Sequence, residues 1–494
     1  MSRRIAIAAA VALAAAVGAA PAAADYATGL DLGSQAYQYG FPVLDTQRVF
    51  ATSTSVNVPD GRGGGPVNRF SHIRKLSDAS EKTVVAPNNE TPYSMAWLDL
   101  SRGPVVLHAP PIHRRFWEFE LLDPWTNNFF NITSASAGLG RGDFGVTGGG
   151  NWAVVGPHFH GRLPRGVRRV RSRYDRVWVI GRTYLRGRSD LPALHRIQDG
   201  YAITPLSRWG TRYRPKRPRH PDRTSTQATI PGTVAGEDPL AFFAALGRQL
   251  RRFPPPAADR PLLAKLKAVG IGPGLDPRSA GLDPETLQGL RDAVTQGPGK
   301  LLAGVLARFA ASFDAHDGYF VSDLGAWGTD YQLRAIGARV GLGGQRANVA
   351  TYPFTLTDHM HAPLTGSARY VLHLPADRLP IPVRAFWSLT LYDAGSFFVA
   401  NPLNRYALNS RSRLHRNADG SIDLYIQHGR PVDPAQAANW LPAPAPGEGF
   451  RLIWRLYDLG PALRGVLDGS GWQPPAVQPC DDSGRAPDGT ACAA

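Results

Sequence analysis

Two His-x-His pairs, His158 with His160 and His359 with His361, have a spacing that suits chemistry. Side chains two residues apart on an extended chain point the same way, so each pair can turn two imidazoles toward one divalent metal ion. Asp358 beside the second pair, or Glu90 if the fold brings it near, would add a third ligand. The competing reading is structural: both pairs border Pro or Gly and so are expected in loops, as exposed or capping histidines. No cofactor other than such a metal is expected.

Glu118 and Glu120 form the one close carboxylate pair within a strand-like run. On one face of a strand their Cα atoms would lie about 6.5 to 7 Å apart, compatible with acid and base roles on a glycosidic bond. The plainer expectation is a solvated outer face, because antiparallel sheets show alternating polar residues to water. A third candidate is the loop holding Asn88, Asn89, Glu90, Thr91 and Tyr93, which sets amides, a carboxylate, a hydroxyl and a phenol between two apolar stretches. That density suits a small polar or carbohydrate-like ligand, with Glu90 as a further acid or base. Pro87, Asn88 and Asn89 equally suit a tight turn that satisfies its own backbone. Nucleophile motifs are lacking: there is no GxSxG, and neither cysteine is placed for catalysis. The glycines of Gly61 to Gly65 and Gly138 to Gly142 follow no strand into a helix, so they read as loops rather than phosphate cradles.

The elements that must hold these residues are written twice. RRFWEFELLDPWTNNFF, Arg114 to Phe130, is echoed by RAFWSLTLYDAGSFFV, Arg384 to Val399. Trp117, Phe119 and Leu121 share one face, as do Trp387, Leu389 and Leu391, and this period of two marks a half-buried strand. The echo continues in order: VVLHAP with YVLHLP, Asn151 to Val155 opposite Ser421 to Tyr425, and VIGRTY with LIWRLY. Two similar antiparallel β-sandwich modules of jelly-roll type, in tandem, are expected. Because Asp123 and Asp393 repeat alongside Arg182 and Arg455, the pairs Asp123–Arg182 and Asp393–Arg455 are predicted as matching structural salt bridges.

Around these modules the chain opens with two arginines, an apolar run from Ile5 to Ala20 and small residues at Ala22 and Ala24, the pattern of a leader cleaved after residue 24. The mature chain is expected to be exported, periplasmic or extracellular, with no transmembrane segment. Cys480 and Cys492, the only cysteines, close a short loop and read as a disulfide in an oxidising compartment. Net charge is +16, falling to +14 without Arg3 and Arg4, and it admits anionic envelope polymers as partners. Arginines dominate, with six lysines among the 55 basic residues, which points to genome composition as much as to function. The densest basic run, Arg212 to Arg223, is broken by prolines and reads as a solvated loop; it lacks interleaved aromatics, so nucleic acid is not expected. Between the modules the period turns helical: Asp238-Pro239 caps one helix, Asp283-Pro284 another that should stop at Gly297-Pro298-Gly299, and further helices run to Phe313 and over Tyr331 to Val340.

YGFPVLDTQR from Tyr39, VVAPNNETPYSMAWLDLSRGPVVLH from Val84 and VIGRTYLRG from Val179 resemble the bacterial family called domain of unknown function 1254. AFWSLTLYD, NRYAL, DGSIDLYIQ and NWLPAP, from Ala385 to Pro444, resemble its usual C-terminal companion, domain of unknown function 1214. The resemblance implies two β-rich domains with intervening helices, often in exported proteins, and brings no settled activity. Glu90 and Pro92 depart from the usual Asp and Leu, and Asp358 to Gly366 is richer in histidine than the family pattern.

The expected architecture is therefore α+β: a leader at 1–24, a β-rich module at 25–235, a helical segment at 236–345, a β-sandwich module at 346–479 and a disulfide tail at 480–494. The expected function is that of an envelope enzyme acting on a small polar or carbohydrate-like molecule in a cleft beside Asn88 to Tyr93. The alternative is a binding or structural envelope protein without catalysis, attracted to acidic polymers by its charge.

Overall fold

A computed structural model describes residues 25–82, 86–136, 142–481 and 483–493. The leader read over residues 1–24 and most of the glycine loop at 138–142 lie outside them.

The fold is mixed α/β, with four open sheets and eight α-helices among the described residues. In the first half a six-stranded sheet runs in the order Ser71–His72, Tyr93–Asp99, Arg176–Thr183, Trp117–Leu122, Asn128–Thr133, Gly142–Asp143. Opposite it lies a four-stranded sheet built on Val105–Ala109 and Gly150–Val155. Period-two alternation sends Trp117, Phe119, Leu121, Val177 and Val179 from the first sheet against Leu107, Trp152 and Val154 from the second. The second half repeats the scheme: Phe386–Asp393 and Phe450–Tyr457 centre a five-stranded sheet, and Tyr370–Leu374 and Ile422–Gln427 centre a four-stranded one. Leu389, Leu391 and Trp454 meet Leu372, Leu424 and Ile426 there. None of the sheets closes into a barrel.

Strand registers align the two halves more closely than sequence does. Glu118 pairs across strands with Arg182, and Ser388 with Arg455. His108 pairs with Asn151 and His373 with Asp423, so Asn151 corresponds to Asp423 and not to Ser421. In each case the histidine Nδ1 shares a hydrogen with the partner oxygen, at 2.7 and 2.6 Å.

The helices form a separate apolar layer. The helix Tyr26–Ser53 packs along Pro284–Phe313, with Ala241–Arg252 and Tyr331–Gly341 beside them. Asp283 caps the long helix by accepting from Thr286 N at 2.8 Å. That helix continues for 30 residues through Pro298, where two helices were expected. Its Gly297 lies flat against the Tyr37 ring, and a Cβ there would stand 2.4 Å from a ring carbon. Tertiary packing of this kind outweighs the loss of one hydrogen bond at proline. No described helix is long and apolar enough to cross a membrane. Cys480 and Cys492 are bonded at 2.01 Å, and their tail covers Val371 and Tyr425 on the outer face of the second four-stranded sheet.

Candidate functional site

The two larger sheets are buried on both faces, and this decides where the polar repeat residues go. One face of each meets its own smaller sheet; the other is covered by the helical layer and by the opposite half. Phe116 and Tyr184 of the first half meet Tyr457 and Phe386 of the second, with ring centroids 5.1 and 4.3 Å apart. Phe116 matches Phe386 in sequence and Tyr184 matches Tyr457, so the contact is reciprocal, as at a two-fold interface.

Glu118 and Glu120 point into this interface and have no solvent exposure, contrary to the expected outer face. Arg182 Nη1 donates to Glu118 Oε1 at 3.0 Å and to Glu120 Oε2 at 2.6 Å, and Nη2 donates to the Gly343 carbonyl. Gln345 Nε2 reaches Glu118 Oε1 at 2.5 Å, and Asn128 Nδ2 reaches Glu120 Oε1 at 3.1 Å. Glu118 Oε2, Arg182 Nε and the buried Ser388 hydroxyl have no partner. Burial outweighs the guanidinium, so the Glu118 carboxyl is pushed up to about 8 and Glu120 to about 7.

The opposite wall comes from the second half. Arg455 Nη1 donates to Thr390 Oγ1 at 3.0 Å, while Nη2 donates to the Tyr392 oxygen at 2.7 Å and to the Ala86 carbonyl at 3.1 Å. Tyr392 donates to the Pro87 carbonyl at 2.6 Å, and Asn88 Nδ2 to the Tyr457 oxygen at 3.2 Å. Asn409 Nδ2 reaches Glu90 Oε1 at 3.3 Å. The Asn88 to Tyr93 loop is thus a turn, with Asn88 Oδ1 accepting from the Glu90 and Thr91 amides, and it doubles as a clasp between halves. Asn89 is tied to Ser77 by both amide groups. Burial drives the Tyr457 phenol well up, and it does the same to Tyr352. Tyr93 and Tyr352 are half-buried beside the cluster.

The predicted salt bridges do not form. Asp123 Oδ1 accepts from the Trp125 and Asn127 amides, and Asp393 Oδ1 from the Phe397 amide. In both turns the aspartate's own amide donates four residues ahead, and Thr126 and Ser396 stand at φ 65 and 67. The repeated aspartates build a turn, and Asp393 pairs loosely with Lys82 at 3.6 Å. The histidine pairs stay apart from the cluster chemistry. His158 and His160 are exposed, His361 stacks on Phe313 at 3.9 Å, and Asp358 Oδ1 caps Met360 and Ala362 amides. Among the described residues no group of three or more His, Cys, Asp or Glu could hold a metal ion.

Two recesses flank the interface. The cleft beside the loop, lined by Ser77, Asn88, Asn89 and Tyr93, encloses about 20 Å³, room for one water. A larger cavity of about 220 Å³ opens in the second half. It is lined by apolar Leu374, Leu379, Ile381, Trp387, Leu414 and Ile422 and by polar Asn409, Ser410, Ser412 and Arg416. Ser410 Oγ accepts from Trp387 N and Ser412 Oγ from Asn409 N, which fixes this polar segment against the strand. Sequence reading missed Gln345, Tyr352, Asn409 and this cavity; the one available signal was the polar run after NRYAL, set beside an apolar strand.

Residues 67–205 match the family model described as protein of unknown function DUF1254, and residues 349–461 match that of DUF1214. The crystal structure of the VPA0106 protein from Vibrio parahaemolyticus aligns with a TM-score of 0.60 at 23% identity, over 92% of this chain and 100% of that one. An uncharacterized protein from Burkholderia cenocepacia aligns at 0.42 and 15% identity, over 92% of this chain and 94% of that one. The first likeness is one of fold. No curated protein matches the chain.

Proposed function

Since the chain belongs to the proteins that carry DUF1254 followed by DUF1214, we propose that it binds a small molecule with an apolar body and a polar head in the cavity of its second half. The cavity carries the proposal: about 220 Å³ lined by both apolar and polar side chains. A cavity of about 150 Å³ holds benzene, so this one accepts a single ring or branched chain with a short substituent. A polar or carbohydrate-like ligand beside Asn88 to Tyr93 has weaker support, because the side chains there are hydrogen-bonded to one another and the cleft fits one water. Trp387 lines the cavity, so its fluorescence reports occupancy. Titrating a panel of aromatic and short-chain acids, alcohols and amides should give a saturable change, lost in Ile381→Trp, where the indole fills the space. Equal binding by that variant would defeat the assignment.

A second reading, an enzyme using acid–base chemistry at the interface, is favoured by Glu118 and Glu120, which sit near neutrality with one free carboxylate oxygen. We also read the two halves as tandem copies of one two-sheet module, supported by the matched registers and the reciprocal Phe116–Tyr457 and Tyr184–Phe386 contacts. The Cys480–Cys492 bond supports an exported, oxidising location.

A further inference from the structure

We propose that the segment from Arg212 to Arg223 is a docking strip for a linear polyanion. It carries Arg212, Arg214, Lys216, Arg217, Arg219 and Arg223 against one carboxylate, Asp222. That carboxylate caps the Thr224 amide at 2.9 Å. All six cations are exposed, and among the described residues no carboxylate forms an ion pair with any of them.

Two observations distinguish the strip from a solvated charge run. Pro215, Pro218 and Pro221 recur every third residue, the repeat of a polyproline II helix, and the segment forms neither helix nor strand. Pro215 and Pro218 are half-buried while the cations between them are exposed, so these two prolines face the protein and the charges face out; Pro221, at the end of the repeat, is exposed. The backbone is also pinned. Arg69 donates to the Pro215 carbonyl, Asn57 Nδ2 to the His220 carbonyl at 2.8 Å, and the Asp222 amide to Asn57 Oδ1 at 2.7 Å. Further on, the Thr226 amide donates to Ser55 Oγ at 2.9 Å. A proline-stiffened, anchored strand has little backbone entropy left to lose on binding, which is what lets weak, solvent-screened charges add up. At about 3.1 Å per residue the strip spans roughly 35 Å, so its partner is an extended chain of repeating charges. Arginine forks suit phosphate or carboxylate oxygens. A membrane surface fits less well: Tyr213 is half-buried and no exposed apolar side chain flanks the cations for insertion.

The test is binding of fluorescently labelled long-chain polyphosphate to the mature protein, followed by anisotropy across a salt series. Counterion release predicts a log affinity falling linearly with log salt. The triple variant Arg214→Gln, Arg217→Gln, Arg219→Gln should bind at least ten-fold more weakly, with a slope shallower by about 2. Arg214→Lys, Arg217→Lys, Arg219→Lys should restore most of the binding. The control Arg378→Gln, Arg413→Gln, Arg464→Gln removes the same net charge elsewhere and should leave affinity within two-fold. The strip side chains lie in an exposed loop, and unchanged thermal unfolding will show that strip and control variants are folded. Equal losses in strip and control variants, no polyphosphate binding, or binding to anionic vesicles alone would each overturn the proposal.

Discussion

Arg182 Nη1 lies 3.0 Å from Glu118 Oε1, and both side chains are buried between the two halves of the chain. The same guanidinium holds Glu120, so one cation serves two carboxyls. Buried ion pairs gain little net stability, yet removing one member strands the others. Arg182→Met should therefore cost about 3–5 kcal/mol above pH 8, where both carboxyls are ionised, read from urea unfolding midpoints. Adding Glu118→Gln and Glu120→Gln to it should recover a substantial part. A triple variant as unstable as the single one would show that packing, rather than stranded charge, sets the cost.

The same carboxyls give a pH signature. Burial raises Glu118 from 4.5 to about 8 and Glu120 from 4.5 to about 7, so between those limits the folded chain holds protons the unfolded chain has released. Their contribution is complete below pH 4.5 and is lost as pH rises through about 7 and then about 8. Urea midpoints taken at pH 5, 6.5 and 8 should fall with pH in the parent protein. Glu118→Gln should flatten the upper part of that decline. An unchanged pH profile in the variant would remove Glu118 as its source.

Tyr184 and Phe386 stack at 4.3 Å, and Phe116 and Tyr457 meet at 5.1 Å in the matching contact. Phe386 is 1% exposed, so Phe386→Ala should cost about 3–5 kcal/mol. A double-mutant cycle with Tyr184→Ala should show coupling of about 0.5–1.5 kcal/mol, the usual worth of an aromatic pair beyond its buried area. If the halves unfold in two separate steps in Phe386→Ala, the interface is also what makes them cooperate.

Period-two alternation found the central strands of both halves because it depends only on neighbouring residues. The same alternation misassigned Glu118 and Glu120, since periodicity reports two faces without saying what covers the second. Here the second face meets another half of the chain, and Arg182 on the adjacent strand supplies the charge that makes burial tolerable. Asp123 and Arg182 both recur, which is why they were expected to pair. Repetition marks a shared local structure, and for Asp123 that structure is its own turn. The Asn88 loop was legible as a turn from its residue types, while its hold on Tyr457, 369 positions away, was not. The cavity depends on where two sheets and a loop diverge, and the polar run after NRYAL was its one trace in the linear sequence.

The two glycines around Pro298 separate helix propensity from packing. Both lie in the interior of Pro284–Phe313, where alanine is favoured over glycine by about 1 kcal/mol. A Cβ at Gly299 meets nothing within 4 Å, so Gly299→Ala should stabilise the protein by up to about 1 kcal/mol. At Gly297 the added carbon would stand 2.4 Å from Tyr37 Cε1, and that ring is 2% exposed and stacked on Phe242 at 4.8 Å. Moving it disturbs the core of the helical layer, at a cost of about 1–3 kcal/mol that exceeds the propensity gain. Gly297→Ala should therefore lower the melting temperature while Gly299→Ala raises it. Tyr37→Leu, which removes the ring, should reduce the penalty at Gly297 and leave the gain at Gly299 unchanged. Parallel shifts at both positions would mean that the helix, and not its contact with Tyr26–Ser53, governs this region.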